Sequence, residues 1–225
     1  MTPKLLFRMA EPGDKEAIIK FLDTHFAKEE PCARALKLTP EMSHNTFQTT
    51  ADRCLRYPFS MVVLNENEEI VACLLASVWN RTDPVEKADY DDEGAPENLR
   101  LFLRFLNSAH EDFWKIAPPH IQSVIHGEIA SVAPEFTRLG IATKLVTTNM
   151  TKANLKKFNI GGFMSETTSL ANQKLMKKAG FKCLKELPYS MIVDSKGDQV
   201  LQLDDGTTSL HLNFKGAEDF GDILD

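Results

Sequence analysis

The segment Val132-Ala133-Pro134-Glu135-Phe136-Thr137-Arg138-Leu139-Gly140-Ile141-Ala142-Thr143 lies between an alternating apolar stretch and a helical one. A strand, a tight glycine-containing loop and a helix, in that order, form an anion-binding device. The first N–H groups of the helix point out unpaired, and its dipole favours negative charge there. Gly140 and the small Ala142 let a phosphate approach the backbone closely. The loop is neither a dinucleotide fingerprint, which needs more glycines, nor a Walker loop, which needs Gly-Lys-Ser/Thr. Just upstream, His126 and Glu128 are two apart on the same predicted strand, so their side chains share a face. An imidazole beside a carboxylate can move protons to and from a reacting group. A hydrogen-bonded structural histidine is the other reading of that position.

The elements that must position these residues follow from hydrophobic spacing. Lys4 to Ala10 reads as a first strand, and Pro12-Gly13-Asp14 signals a helix start. Ile18, Ile19, Leu22 and Phe26 predict an amphipathic helix from Asp14 to about Lys28, ended by Pro31. Cys32 to Tyr57 leans helical with a break at Thr39-Pro40, and the apolar runs Met61 to Leu64 and Ile70 to Val78 predict a hairpin. Asn80 to Asn98 reads as a polar surface excursion. Its run Asp89-Tyr90-Asp91-Asp92-Glu93 could attract a cation or simply be a solvated loop. Leu99, Phe102, Leu103, Leu106 and Phe113 predict a helix stopped by Pro118-Pro119. A strand from Ile121 to Val132 then leads into the loop, and Leu145, Val146, Asn149 and Leu155 carry a helix to about Phe158. A short strand at Asn159 to Ser165, a helix at Ala171 to Ala179, a strand opening at Gly180-Phe181 and a last strand through Leu210, Leu212 and Phe214 complete the pattern. An acidic tail over about 216–225, from Glu218 to Asp225, closes the chain. With no internal repeat and no separating linker, one α+β domain over 1–225 with a mixed sheet is expected.

Composition limits the partners. The 225 residues carry 26 basic and 32 acidic side chains, a formal charge of -6. That balance argues against nucleic acid and against an anionic membrane, both of which need a basic footprint. Cys32, Cys54, Cys73 and Cys183 form no CxxC pair and read as reduced thiols. Met1 to Arg8 lacks the apolar core of a signal peptide, and the run Ile70 to Trp79 is about half of a membrane span. A cytoplasmic protein is expected; the oligomeric state is not legible.

In full register, Val132 to Ala142 resembles motif A of the GNAT N-acetyltransferases, in which the loop holds the pyrophosphate of acetyl-CoA. Farther on, Asn172 to Gly180-Phe181 resembles motif B of that family, so the two motifs span about 121–182 in the family's order. Thr137 stands where the family usually has Gln or Arg, with Arg138 one place later. Phe26-Ala27-Lys28-Glu29-Glu30-Pro31 is similar to the Asp-Glu-Pro segment of insect-type arylalkylamine (dopamine) N-acetyltransferases. Pro84-Val85-Glu86-Lys87-Ala88 and the long helix after it are similar to the insertion, here 80–114, that those enzymes carry before motif A.

The resemblance implies a three-layer α/β/α GNAT fold with a mixed, mostly antiparallel sheet and a splayed strand pair holding acetyl-CoA. It implies cofactor contacts from Val132, Thr137, Arg138, Leu139, Gly140, Ile141, Ala142, Thr143 and Asn172, with no metal. Glu30 matches the glutamate proposed as general base. In the vertebrate serotonin N-acetyltransferases, the strand before motif A carries two histidines in register with His126 and Glu128. Thr168 and Ser169 align with serines proposed in the insect enzymes, although hydroxyls beside a helix start are commonly N-caps. Many family members have a tyrosine where Met176 stands here. Backbone N–H groups near Val132 would polarise the thioester carbonyl. Lys144, Lys152, Lys156 and Lys157 could meet the ribose phosphate or form a solvated face. Phe47, Tyr57, Phe59, Trp79 and Trp114 could line an acceptor pocket or fill the core.

The chemistry explains why a base is wanted. An alkylamine with a pKa of roughly 10 is neutral in about one molecule per thousand at pH 7, a handicap of about 4 kcal/mol for attack on a thioester. A carboxylate can bind the ammonium and take its proton. A departing thiolate with a pKa near 8.5 needs little help. The implied activity is acetyl transfer from acetyl-CoA to the primary amine of a small arylalkylamine (dopamine, tyramine or serotonin type), by direct attack in a ternary complex. Acetylation of polyamines or of a protein amine is one alternative, and a non-catalytic acyl-CoA-binding module is the other.

Overall fold

Alternation along two central strands sorts the chain into layers. In the computed structural model, which describes residues 3–83, 96–148 and 150–221, these are β2 (Met61–Leu64) and β3 (Ile70–Asn80). Both are buried on both faces. Val62, Leu64, Cys73 and Leu75 pack beneath α1 (Lys15–Phe21) and α4 (Pro40–Cys54) through Ile18, Leu22, Phe47 and Ala51. Met61, Val63, Leu74 and Ala76 face the other way, onto α6 (Ile141–Thr147), α7 (Lys152–Lys157) and α8 (Leu170–Lys178), through Leu145, Leu155 and Met176. Period-two side chains between two helical layers give the expected three-layer arrangement.

The remaining strands are β1 (Leu6–Met9), β4 (Ser123–Val132), β5 (Gly162–Thr167), β6 (Lys182–Pro188) and β7 (Ser209–Gly216). The sheet order is β1-β2-β3-β4-β5-β7-β6, and every pair is antiparallel except β4 with β5. That parallel pair holds register only at Ile125 with Phe163 and His126 with Met164. Beyond it the Ser165 hydroxyl, not a backbone amide, donates to the Gly127 carbonyl at 2.8 Å, and the strands part. The expected splay is therefore present, beginning at Gly127. Opposite it, β3 and β4 shift register so that Ala76 faces Gly127 and Leu75 faces Ile129, leaving Glu128 as the extra residue of a bulge.

Gly127 is required by packing. A Cβ there would lie 2.5 Å from the ring of Phe163, which is fully buried. We expect Gly127→Ala to cost about 1–3 kcal/mol by overpacking. Urea unfolding should show the midpoint falling with an unchanged m-value.

The N-terminal helix extends as expected but contains a π-helical turn at Leu22–Phe26, which resets the helical phase before α2 (Ala27–Glu29). Pro31 ends that run and also opens α3 (Pro31–Leu36), since proline suits a first helical position. Thr39 caps α4 ahead of Pro40. The hairpin turn is held by Asn65 Oδ1, which accepts from the Asn67 and Glu69 amides. α5 (Glu97–Ile116) is the predicted helix before Pro118.

Three expectations are corrected. The helix after the loop does not run unbroken to Phe158: α6 stops where Thr148 turns extended (ψ 136°), and α7 restarts with Thr151 capping the Asn154 amide. The strand expected at Asn159 to Ser165 starts later, at Gly162, because Asn159 has a positive φ and the chain turns there. The presumed tail from 216 is structured through Gly221. Phe220 is buried against Phe181, and the Gly221 carbonyl accepts from the Lys152 amide. The acidic run Asp89 to Glu93, the segment Pro84 to Ala88, Asn149 and the last four residues lie outside the described residues.

Candidate active site

A cavity of about 460 Å³ opens between the bulged part of β4, the end of β5, and α3, α4 and α5. Phe26, Phe47, Tyr57, Trp79 and Phe102 supply aromatic walls, with Met42, Leu99, Leu103 and Leu106 between them. Three glutamates reach it: Glu30, Glu128 and Glu166.

Glu30 stands at the junction of α2 and α3, in extended conformation (ψ 125°) before Pro31. It is the N-cap of α3, accepting from the Ala33 amide at 2.6 Å through Oε2. Its Oε1 accepts from the Thr168 hydroxyl at 2.8 Å, across 138 residues of chain. Thr168, just past β5, is itself held from behind by the Tyr189 hydroxyl, which donates to its carbonyl. Burial pushes the Glu30 carboxyl above its ordinary range, against the opposing hydrogen bonds. A carboxyl raised by desolvation is a better proton acceptor near neutrality.

His126 and Glu128 do share the cavity face, with Nδ1 and Oε1 4.0 Å apart. Their surroundings were not legible. Glu128 receives a two-pronged ion pair from Arg53 of α4, with Nε at 2.9 Å from Oε1 and the second nitrogen on Oε2. The Cys54 thiol donates to the same carboxylate at 3.3 Å. Burial would raise Glu128, but Arg53 and His126 hold it below the usual carboxylate range. On its other side His126 Nε2 meets Glu166 Oε2 at 2.8 Å, and His110 Nε2 of α5 meets Glu166 Oε1 at 3.1 Å. Burial works against the His126 imidazolium, yet Glu166 and Glu128 outweigh it and raise its pKa. Burial opposes ionised Glu166 too, and the two histidines hold it far below its ordinary range. His126 is thus a paired, proton-holding group rather than an isolated base.

The loop before α6 has the expected strand–loop–helix form. Gly140 caps α6 in the left-handed region (φ 76°), and a Cβ there would meet nothing within 4 Å, so the approach to the backbone is open. Arg138 is also left-handed (φ 62°), and Thr137 to Gly140 are exposed, Leu139 among them. Thr137 uses its hydroxyl locally, donating to the Pro134 carbonyl at 2.9 Å. Ile141 sends its side chain into the core, leaving only its backbone toward the loop, while Ala142 and Thr143 are half-buried. The Ala133 amide donates to the Val71 carbonyl of β3, so alternation turns the Val132 N–H to the opposite edge, where β5 has departed.

Other expected residues fall elsewhere. Ser169 caps α8, its hydroxyl accepting from the Asn172 amide at 3.3 Å as the N-cap reading of that position has it, and it is not among the residues lining the cavity. Asn172 lies half-buried in the first turn of α8. Met176 is core. Phe59 is core as well, and Trp114 packs under the Arg81 guanidinium, 4.7 Å from its ring centre. Lys144 lies over the Phe7 ring, and Lys156 and Lys157 are exposed on the separate α7.

Sequence reasoning missed Glu166, His110 and Arg53. Two of these had a signal. Glu166 is a charge inside a strand whose neighbours Met164, Ser165 and Thr167 are buried, and His110 lies on the apolar face of α5 between Leu106 and Phe113.

The chain matches no protein-family model. It is similar in structure to arylalkylamine N-acetyltransferase 2 from Aedes aegypti, with a TM-score of 0.79 at 16% identity over 95% of this chain and 99% of that one. It is similar as well to a Drosophila melanogaster polyamine N-acetyltransferase that forms N-acetylagmatine (TM-score 0.78, 19% identity, 95% and 100% covered). The C-terminal condensation domain of Ebony, solved with beta-alanyl-dopamine, gives 0.72 at 14% identity over 96% and 100%. The chain thus has the fold of GNAT N-acetyltransferases.

Proposed function

We propose that this GNAT-fold chain is an acetyl-CoA-dependent N-acetyltransferase for small arylalkylamines, working by direct attack in a ternary complex. The observation that carries the proposal is the Glu30–Thr168 contact, which fixes a desolvated carboxylate on the wall of an aromatic cavity next to the splayed strands.

Acetyl-CoA, which supplies the activated acetyl group, fits the open side of the sheet. Val132 would offer its N–H to the thioester carbonyl, Thr137 to Thr143 flank the open backbone at Gly140, and Asn172 in the first turn of α8 is the further contact this reading expects. Glu30 receives the ammonium of the substrate, then its proton, and the Thr168 hydroxyl orients the carboxylate for both. Val132 stabilises the negative charge that develops on the carbonyl oxygen. His126 and Glu128 bound the same face, and the raised pKa of His126 suits it to return a proton rather than take one. A covalent route through cysteine is disfavoured, since burial pushes Cys73 up to about 12 and raises Cys32 and Cys54 as well.

The pairing of the glutamates favours a monoamine. Glu128 is matched by Arg53 and Glu166 by two histidines, whereas the hydrogen-bond donors to Glu30, the Ala33 amide and the Thr168 hydroxyl, are neutral. A polyamine or agmatine needs a second anion for its distal cation, and the one further carboxylate lining the cavity among the described residues, Asp83, already accepts from the Asn80 backbone and side-chain amides through Oδ2. No helix among the described residues is long and apolar enough to cross a membrane.

Thiol release from acetyl-CoA, compared across dopamine, tyramine, serotonin, spermidine, agmatine and a lysine peptide, tests the assignment. Arylalkylamines should exceed the others in kcat/KM by at least about tenfold, the scale on which a pocket separates such groups. Preference for spermidine or agmatine would overturn the monoamine reading.

A further inference from the structure

We propose that His110, His126 and Glu166 form a binding site for a divalent ion of the zinc class, open to the cavity, and that the bound ion closes the cavity to amines. Two imidazoles and one carboxylate suit Zn²⁺, which in open sites takes three protein ligands and leaves a fourth position to water. Their ligand atoms all lie within 4.8 Å of one another. Glu166 Oε2 is 2.8 Å from His126 Nε2, and Oε1 is 3.1 Å from His110 Nε2. A tetrahedral ion with bonds of about 2.0–2.2 Å holds its ligand atoms roughly 3.4 Å apart, so small side-chain rotations suffice.

Two independent observations point to a ligand here. Glu166 Oε1 is buried, with the Glu166 side chain only 7% exposed, and its one neighbour is the His110 ring nitrogen at 3.1 Å, an ion-pair contact poorly directed for a hydrogen bond. A buried carboxylate oxygen with so weakly directed a partner gains from a cation placed between it and the imidazole. The second is the outer support that metal-binding histidines characteristically have, their free ring nitrogen facing a carboxylate. Here His126 Nδ1 lies 4.0 Å from Glu128 Oε1, an ion-pair distance that a small ring rotation would turn into a hydrogen bond, and Arg53 holds Glu128 in turn. All three ligand residues line the cavity, so the fourth position opens into the space proposed for the amine. The ion is a ligand of the resting protein and takes no part in acetyl transfer.

Visible absorption of the full chain titrated with Co²⁺, then with Zn²⁺, tests the site without requiring turnover. One equivalent of Co²⁺ should develop the intense bands of a four-coordinate centre, and one equivalent of Zn²⁺ should abolish them. His110→Ala and Glu166→Gln, each checked for native circular dichroism, should lower affinity more than 100-fold, and Glu128→Gln by about tenfold as an outer-shell change. Weak, octahedral-type Co²⁺ absorption in the wild type would overturn the proposal, whatever the variants do. So would stoichiometric binding retained by both His110→Ala and Glu166→Gln. The inhibition arm rests on the acetyltransferase reading. Zn²⁺ should then raise the KM for the amine and leave that for acetyl-CoA unchanged. Binding without turnover would sink that reading and keep the site; turnover insensitive to Zn²⁺ would sink only the closure.

Discussion

Glu30→Gln should lower kcat/KM for the amine at pH 7 by about 10²–10⁴-fold, the range typical of a removed general base. Glutamine keeps an oxygen for the Ala33 amide, so α3 stays capped, and the Thr168 hydroxyl can rotate to the new amide. The loss should therefore appear in rate and not in stability. Glu30→Ala should add about 1 kcal/mol of destabilisation from the missing cap, so the two variants separate chemistry from folding. The pH profile gives a sharper reading. With no base, the rate depends on free amine, which grows about tenfold per pH unit below a pKa of roughly 10. The variant should gain on the wild type as pH rises and nearly meet it above pH 9. A Glu30→Gln enzyme with the wild-type rate at pH 7 would remove Glu30 from the mechanism.

Arg53→Met should destabilise the fold by about 3–5 kcal/mol, because it leaves the Glu128 carboxylate buried without its bidentate partner. His126 remains 4.0 Å away, which places the cost toward the lower end. The pH dependence carries a sign. In the wild type Glu128 is held below its ordinary pKa, so it contributes stability above about pH 4.5 that is lost as pH falls through its folded value. Without Arg53 burial dominates and Glu128 moves up, so the gap between variant and wild type should narrow on acidification. His126 works oppositely. Its raised pKa gives stability that is full below about 6.5 and lost as pH rises through the folded value. Urea unfolding at pH 3.5, 5, 7 and 8.5 checks both trends.

How far the sequence could be read depended on the range of the interactions involved. The β2–β3 hairpin, the strand–loop–helix turn from β4 to α6 and the helix breaks at Pro31 and Pro40 were legible, because each is set by neighbours in the chain. The resemblance supplied Glu30 and Thr168 separately; that they touch is a fact of topology, joining the end of α2 to the end of β5. The break between α6 and α7 was missed because Leu145 and Leu155 both reach the core and mimic one continuous period. Ser169 could be read as a proton relay or as an N-cap, and its hydroxyl serves the Asn172 amide, a local use that its place at a helix start already suggested. The Arg53–Glu128 and His110–Glu166–His126 contacts join α4, α5, β4 and β5, so only the folded sheet brings these charges together. The bulge at Glu128 is likewise a property of strand pairing, invisible in the alternation of β4 alone.

The central claim is catalysis of acetyl transfer to an amine held in this cavity. Incubating the protein with acetyl-CoA and tyramine, and following N-acetyltyramine, free CoA and protein mass together by mass spectrometry, tests it most directly. Direct transfer requires one CoA released per acetylated amine, many turnovers per protein molecule, and no acetyl group left on the protein. Acetyl-CoA bound tightly with no N-acetyltyramine formed, or an acetyl group found on the protein ahead of product, would contradict it.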